Sequence, residues 1–195
     1  MLEDIKWDYT HEIRKPILSG SLLLSEPFMK DPFFRRSVCL VCNHDKEEGT
    51  FGFITNKPTP QKVNELSDEM PDIDFPVFYG GPVAIDSLYY VHDNSTNVEG
   101  AIQLTDDLYW SGNFEQIRFQ IQEGLLTEKS IRFFLGYSGW DKSQLRNEII
   151  ENSWIVSQEK VNLFDKNPLL WENILEKMGG VYKMMAGFPR DPSLN

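Results

Sequence analysis

Val38-Cys39-Leu40-Val41-Cys42 is a run of apolar residues closed on one side by Arg35-Arg36-Ser37 and on the other by Asn43-His44. It is too short for a helix of ordinary length and is rich in branched side chains, so residues 36–43 read as a strand. Residues 21–26 and 50–55 carry the same signature. The three are broken by Glu26-Pro27, by Asp45-Lys46-Glu47-Glu48-Gly49 and by Asn56-Lys57-Pro58, which are turn-forming sequences. The second and third strands then form a hairpin, and a chain that begins this way is committed to a sheet.

Further along, residues 62–69 suit a short helix with Val63 and Leu66 on one face, before the loop Met70-Pro71-Asp72-Ile73-Asp74. Residues 76–79, 87–92 and 101–104 resume the strand pattern. Residues 113–123 fit a helix through Phe114, Ile117 and Ile121 and a strand through Ile117, Phe119 and Ile121; their length and their Gln and Glu content favour the helix. Residues 130–137 are an apolar run ending in a glycine-flanked turn, after which Asp141 and Gln144 have the spacing of a capping box. Asn167-Pro168 marks another helix start, with Trp171, Ile174, Leu175 and Met178 as its apolar stripe and Gly179-Gly180 as its stop. Hairpins gathered early and helices later predict an α+β fold rather than strict alternation.

The chain has 195 residues, 41% of them hydrophobic and 13% aromatic, enough to bury a substantial core without disulfides or metal. Residues 1–19 read as an N-terminal tail and 20–195 as a single domain. No run approaches the roughly 20 apolar residues of a membrane span and the first residues have no apolar signal core, so the expected location is the cytoplasm, with no membrane contact. Cys39 and Cys42, three apart in a strand, point to opposite faces, and a disulfide between them is not expected. A net charge of -11 repels phosphate backbones. The adjacent basic pairs, Arg14-Lys15 and Arg35-Arg36, lack the density of a nucleic-acid surface, so direct nucleic-acid binding is disfavoured.

Cys42 and His44, two apart in a strand, are expected on one face with Val38 and Leu40. A thiol beside an imidazole can act as a nucleophile or hold a soft metal. A closed zinc site needs about four ligands, however, and Cys39 faces away while His11 and His92 are remote in sequence. A packed cysteine beside a surface histidine is the simpler reading, and no metal and no cofactor are expected. Gly136-Tyr137-Ser138-Gly139-Trp140 resembles a hydrolase nucleophile elbow, but Trp140 stands where a glycine is required and all three histidines precede Ser138. It reads as a structural turn. Gly80-Gly81-Pro82 permits a sharp turn without phosphate-loop spacing, and Asn56-Lys57-Pro58 reads as a turn in which Asn56 bonds its own backbone.

Four blocks taken together resemble the AlgH/YqgE family. They are Asp31-Pro32-Phe33-Phe34-Arg35-Arg36-Ser37-Val38 with Cys42 and His44, Gly52-Phe53-Ile54-Thr55-Asn56-Lys57-Pro58, Gly80-Gly81-Pro82-Val83, and Leu135-Gly136-Tyr137-Ser138-Gly139-Trp140 with Gln144-Leu145 and Trp154. The resemblance spans residues 20–163. It implies a bacterial cytosolic protein with a mixed, mainly antiparallel sheet bent into a pseudo-barrel and helices packed outside. Some members of that family are described as transcriptional regulators. The chain departs from the family pattern at Ser143, where a glycine commonly precedes the Gln-Leu pair, and at Arg146, where an acidic residue is frequent. Motif residues that the resemblance offers for a ligand or partner site are Arg35, His44, Asn56, Gly80, Gly81, Tyr137 and Trp140, with no catalytic roles attached. Tyr137 and Trp140 beside a glycine turn would suit a recognition surface, although buried core aromatics are the simpler reading. The expectation is a non-enzymatic regulatory or adaptor protein acting through protein partners or a small ligand; the alternative is an enzyme of unknown substrate using Cys42 and His44.

Overall fold

The computed structural model describes residues 15–70, 73–93 and 97–189. His11 and all but the last residues of the N-terminal tail fall outside them. Ten strands join in one sheet, with the order β10-β1-β2-β3-β9-β6-β8-β7 and β4 and β5 branching from β9. The first three are β1 (Leu22–Ser25), β2 (Val38–Asp45) and β3 (Gly49–Ile54), and the last two form the hairpin read from the sequence. The next are β4 (Pro58–Lys62), β5 (Pro76–Tyr79), β6 (Val83–Asp93), β7 (Ile102–Gln103) and β8 (Leu108–Trp110). β9 (Ile131–Trp140) is the axis of the sheet and β10 (Trp154–Ser157) its far edge. All pairings are antiparallel except that of β5 with β9.

Five helices complete the described residues: α1 (Val63–Leu66), α2 (Phe114–Gln122), α3 (Gln144–Ile150), α4 (Leu170–Met178) and α5 (Gly180–Ala186). None is long and apolar enough to cross a membrane. α2 begins where Asn113 Oδ1 accepts the Gln116 N–H at 3.1 Å, and Ile117 and Ile121 bury its apolar stripe against Val77 and Phe133 on one face of the sheet. α3 sets Leu145 against Leu23, Val41, Trp140 and Trp154. The third cluster takes Leu24 of β1, Leu40 of β2, Phe53 of β3, Val91 of β6, Phe134 of β9 and Ile155 of β10 together with Trp171, Ile174 and Leu175 of α4 and Met185 of α5. Strands from both ends of the sheet meet there, so the sheet is curled around this core as a pseudo-barrel that does not close.

The curl has an identifiable hinge. β9 gives residues 133–135 to β5 and residues 138–140 to β3, and between them Gly136 takes φ 65. A Cβ there would lie 2.5 Å from the Gly81 carbonyl oxygen, so only glycine fits the crossing. The segment read as a turn is therefore strand throughout, with a kink at its first residue. β4, β8 and β10 were not legible as strands, and Gly179-Gly180 ends α4 only for α5 to begin at Gly180. The predicted capping box is half made: the Asp141 N–H donates to Gln144 Oε1 at 3.0 Å, while Ser143 holds the cap position.

Candidate functional site

The four sequence blocks meet at the centre of the sheet, where they hold backbone to backbone. Asn56 Oδ1 accepts the Val38 N–H at 2.9 Å and its Nδ2 donates to the Arg36 carbonyl at 2.8 Å, so it ties the strand entrance of β2 rather than closing a turn on itself. Lys57 Nζ donates to the Pro32 and Phe33 carbonyls at 3.1 and 2.6 Å, and burial lowers its pKa. The Gly80 carbonyl accepts from Ile54 N–H at 2.8 Å and from Ser138 Oγ at 3.0 Å. Ser138 is fully buried, which leaves no nucleophile in the elbow-like segment. Asn56, Gly80 and Gly81 thus form the frame of the fold.

Cys42 and His44 do not share a face. The β2–β3 register slips between Val41 and Asn43, so one extra residue of β2 faces β3 and the alternation of side chains is shifted beyond it. Cys42 packs with Leu40 and Phe53 in the barrel core, whereas His44 pairs with Thr50 and places Nδ1 2.7 Å from Thr50 Oγ1. Thr50 in turn pairs with Trp140, on the outer face. Burial pushes the Cys42 thiol well above its ordinary pKa of 9.0 and that of Cys39 up to about 12. Both are neutral, enclosed thiols on opposite faces. Among the described residues no three His, Cys, Asp or Glu side chains converge as a metal site requires.

Trp140 is 5% exposed and its indole N–H donates to Glu148 Oε2 at 2.9 Å, so it is a core residue and not a surface anchor. Tyr137 is half-buried against Phe51 and Tyr89. Arg35 is exposed, with Nε donating to the Met29 carbonyl at 3.4 Å. None of the seven residues taken from the resemblance lines either of the two cavities described below.

The sequence reading missed Arg132, the one basic residue in the apolar run 130–137. It is 5% exposed and lies over the Phe78 ring at 4.0 Å. Nη1 donates to the Thr55 carbonyl at 2.7 Å and Nη2 to the Asp165 carbonyl at 3.1 Å. Burial lowers its pKa to about 10, against the attraction of Asp165, and leaves it charged at neutral pH. Arg132 therefore fastens residues 158–169, a strap between β10 and α4, to the middle of the sheet. A cation inside an apolar strand was the available signal.

The strap borders a cleft of about 480 Å³ in the seam where the sheet fails to close. At this seam the ends approach: a Cβ on Gly20, before β1, would lie 2.4 Å from Thr105 Cγ2, after β7. Leu22, Leu40 and Leu163 give the cleft a floor taken from the barrel core, each no more than 3% exposed, and Leu18, Leu108 and Phe164 form apolar walls. Asp93, Asp107, Lys129 and Lys160 stand around it. A concavity of this size with an apolar floor and a polar rim has the form of a small-molecule site.

Comparison with known proteins agrees with this architecture. A family model described as AlgH-like matches residues 22–183. A UPF0301 protein of Cytophaga hutchinsonii is 42% identical over 182 residues, covering 92% of this chain and 100% of that protein. A UPF0301 protein of Bacteroides thetaiotaomicron is 42% identical over 180 residues and covers 90% of each. The crystal structure of protein DIP2367 from Corynebacterium diphtheriae superposes with a TM-score of 0.75 at 20% identity, over 92% of this chain and 97% of that one. The solution structure of the AlgH protein from Pseudomonas aeruginosa gives a TM-score of 0.67 at 25% identity, over 91% and 98%. With its four motif blocks interlocked at the sheet centre and a family model matched across nearly all of its described residues, the chain belongs to the AlgH-like family.

Proposed function

We propose that this is a non-enzymatic regulatory protein of the cytoplasm that works by holding a small apolar molecule in the seam cleft and passing its occupancy on through protein contacts. The observation that carries this reading is the cleft floor. Leu22, Leu40 and Leu163 belong to the barrel core, so a molecule seated on them touches the same side chains that hold the two ends of the sheet together. A volume of about 480 Å³ suits a small molecule rather than a peptide helix or strand. The net charge of -11 supports contacts with protein in preference to DNA. The enzyme alternative loses support because Cys42 is enclosed in the core and His44 stands on the other face of the sheet.

The test is titration with an apolar fluorescent dye and native mass spectrometry of the purified protein, comparing wild type with Leu108→Trp, which narrows the cleft at its wall. Saturable one-to-one dye binding lost in Leu108→Trp supports the reading. Dye binding that is absent, or equal in both proteins, sinks it.

A further inference from the structure

We propose a second site, of opposite character, for a small phosphate ester in the cavity between the strap and helices α4 and α5. The cavity is about 550 Å³ and shares the wall Lys160–Asn162 with the seam cleft, but opens towards the helices. Three separate elements bring an ammonium group to it: Lys160 from the strap, Lys177 from α4 and Lys183 from α5. None of the three makes an ion pair among the described residues, whereas Lys62, Lys142 and Lys166 are each paired with a carboxylate. In a chain of net charge -11, three cations around one concavity make a local concentration of positive charge against the overall balance.

The neutral polar groups point the same way. Asn162 Oδ1 accepts the Phe164 N–H at 3.0 Å, and Asn167 Oδ1 accepts the Leu169 N–H at 3.0 Å and Asn173 Nδ2 at 3.4 Å. With the carbonyl ends of Asn162 and Asn167 occupied, their NH₂ ends remain as donors at the cavity. Two carboxylates also line it. Asp165 is close to the buried Arg132 cation, which leaves Glu176 as the carboxylate set against three lysines. Lysines act as point charges arriving from different directions, which suits the several oxygens of a phosphate better than the planar fork of a carboxylate. Val161, Leu170 and Ile174 supply an apolar wall for the body of the ester.

A simpler role exists for two of the cations. Lys177 and Lys183 each sit in the last turn of their helix, where a cation offsets the helix dipole. That role requires neither Lys160 nor the donor-rich asparagines, and it predicts no ligand.

The experiment is calorimetric titration of the whole chain at low ionic strength with inorganic pyrophosphate and with ADP. Saturable binding of either is expected, weakened about tenfold or more by the double variant Lys177→Ala/Lys183→Ala. It should be unchanged in Lys166→Ala, whose lysine is paired with Glu128 and does not line the cavity, and in the seam variant Leu108→Trp. All three lysines of the site are exposed, so the variants keep the fold, checked by circular dichroism. No saturable binding of either probe overturns the proposal, as does binding that the double variant leaves intact or that Lys166→Ala weakens equally. The seam reading stands or falls separately, on dye binding.

Discussion

Trp140 and Trp154 donate their indole N–H groups to the same oxygen, Oε2 of Glu148, at 2.9 and 2.7 Å. Their rings meet edge to face with centroids 5.5 Å apart, and Phe34 packs against both. Gln144 Nε2 holds the other carboxylate oxygen at 2.9 Å. One side chain on a short helix thus satisfies two buried donors from β9 and β10, strands that are far apart in the sheet order.

Removing that acceptor strands two indole N–H groups in an apolar setting. Glu148→Ala is expected to lower stability by about 2–3 kcal/mol, and Glu148→Gln by less because the amide carbonyl still accepts. Urea denaturation followed by tryptophan fluorescence measures both; an unchanged midpoint in the alanine variant would show that the shared acceptor contributes nothing.

The buried thiols predict an alkaline weakness. An acid whose folded pKa lies above its unfolded one keeps a proton that the unfolded chain has already released. The stability due to Cys39 is therefore complete below 9.0 and falls as pH rises towards about 12, at about 1.4 kcal/mol per pH unit. Cys42 acts in the same direction. The measurement is the urea midpoint as a function of pH in wild type and in Cys39→Ala. The variant should be less stable at neutral pH, through the cavity it leaves, but lose less on going alkaline; parallel curves would refute the assignment. Native thiols should also label only as fast as the protein opens, and fast labelling of Cys42 would revive a nucleophile.

Much of the fold was legible because it rests on local pattern. β5 occupies residues 76–79 as read, the β2–β3 hairpin forms, and α2 and α4 follow their apolar stripes. The losses have physical causes. β4 contains two prolines and β8 is only three residues long, so their strand character comes from their partners and not from their own sequence. The kink at Gly136 and the slip at Cys42 are invisible to a count of alternating residues, and the slip alone separated the one reactive pair the sequence offered. The blocks that carried the resemblance lie in the frame, while both cavities take part of their lining from residues 158–169, outside those blocks.

Ser143 is a non-glycine residue that holds φ 64 in the left-handed region. An L residue is strained there by about 1–2 kcal/mol, so Ser143→Gly should stabilise the protein by about 1 kcal/mol after the entropy cost of glycine is subtracted. Thermal denaturation decides it, and a lowered midpoint would mean that the serine side chain makes up for its backbone.

Gly81 and Gly100 separate two reasons for a glycine. A Cβ on Gly81 would fall 2.2 Å from the Tyr137 carbonyl carbon and oxygen, and neither can move without parting β6 from β9 at the kink. Gly100 has φ 74 but nothing within 4 Å of a Cβ, so only its backbone conformation resists substitution. Gly100→Ala should cost about 1 kcal/mol and Gly81→Ala about 3 kcal/mol or more, enough to reduce soluble yield. Equal midpoints for the two variants in urea would mean that the crossing of Gly81 over Tyr137 relaxes freely, and the rigid frame assigned to the motif blocks would fall with it.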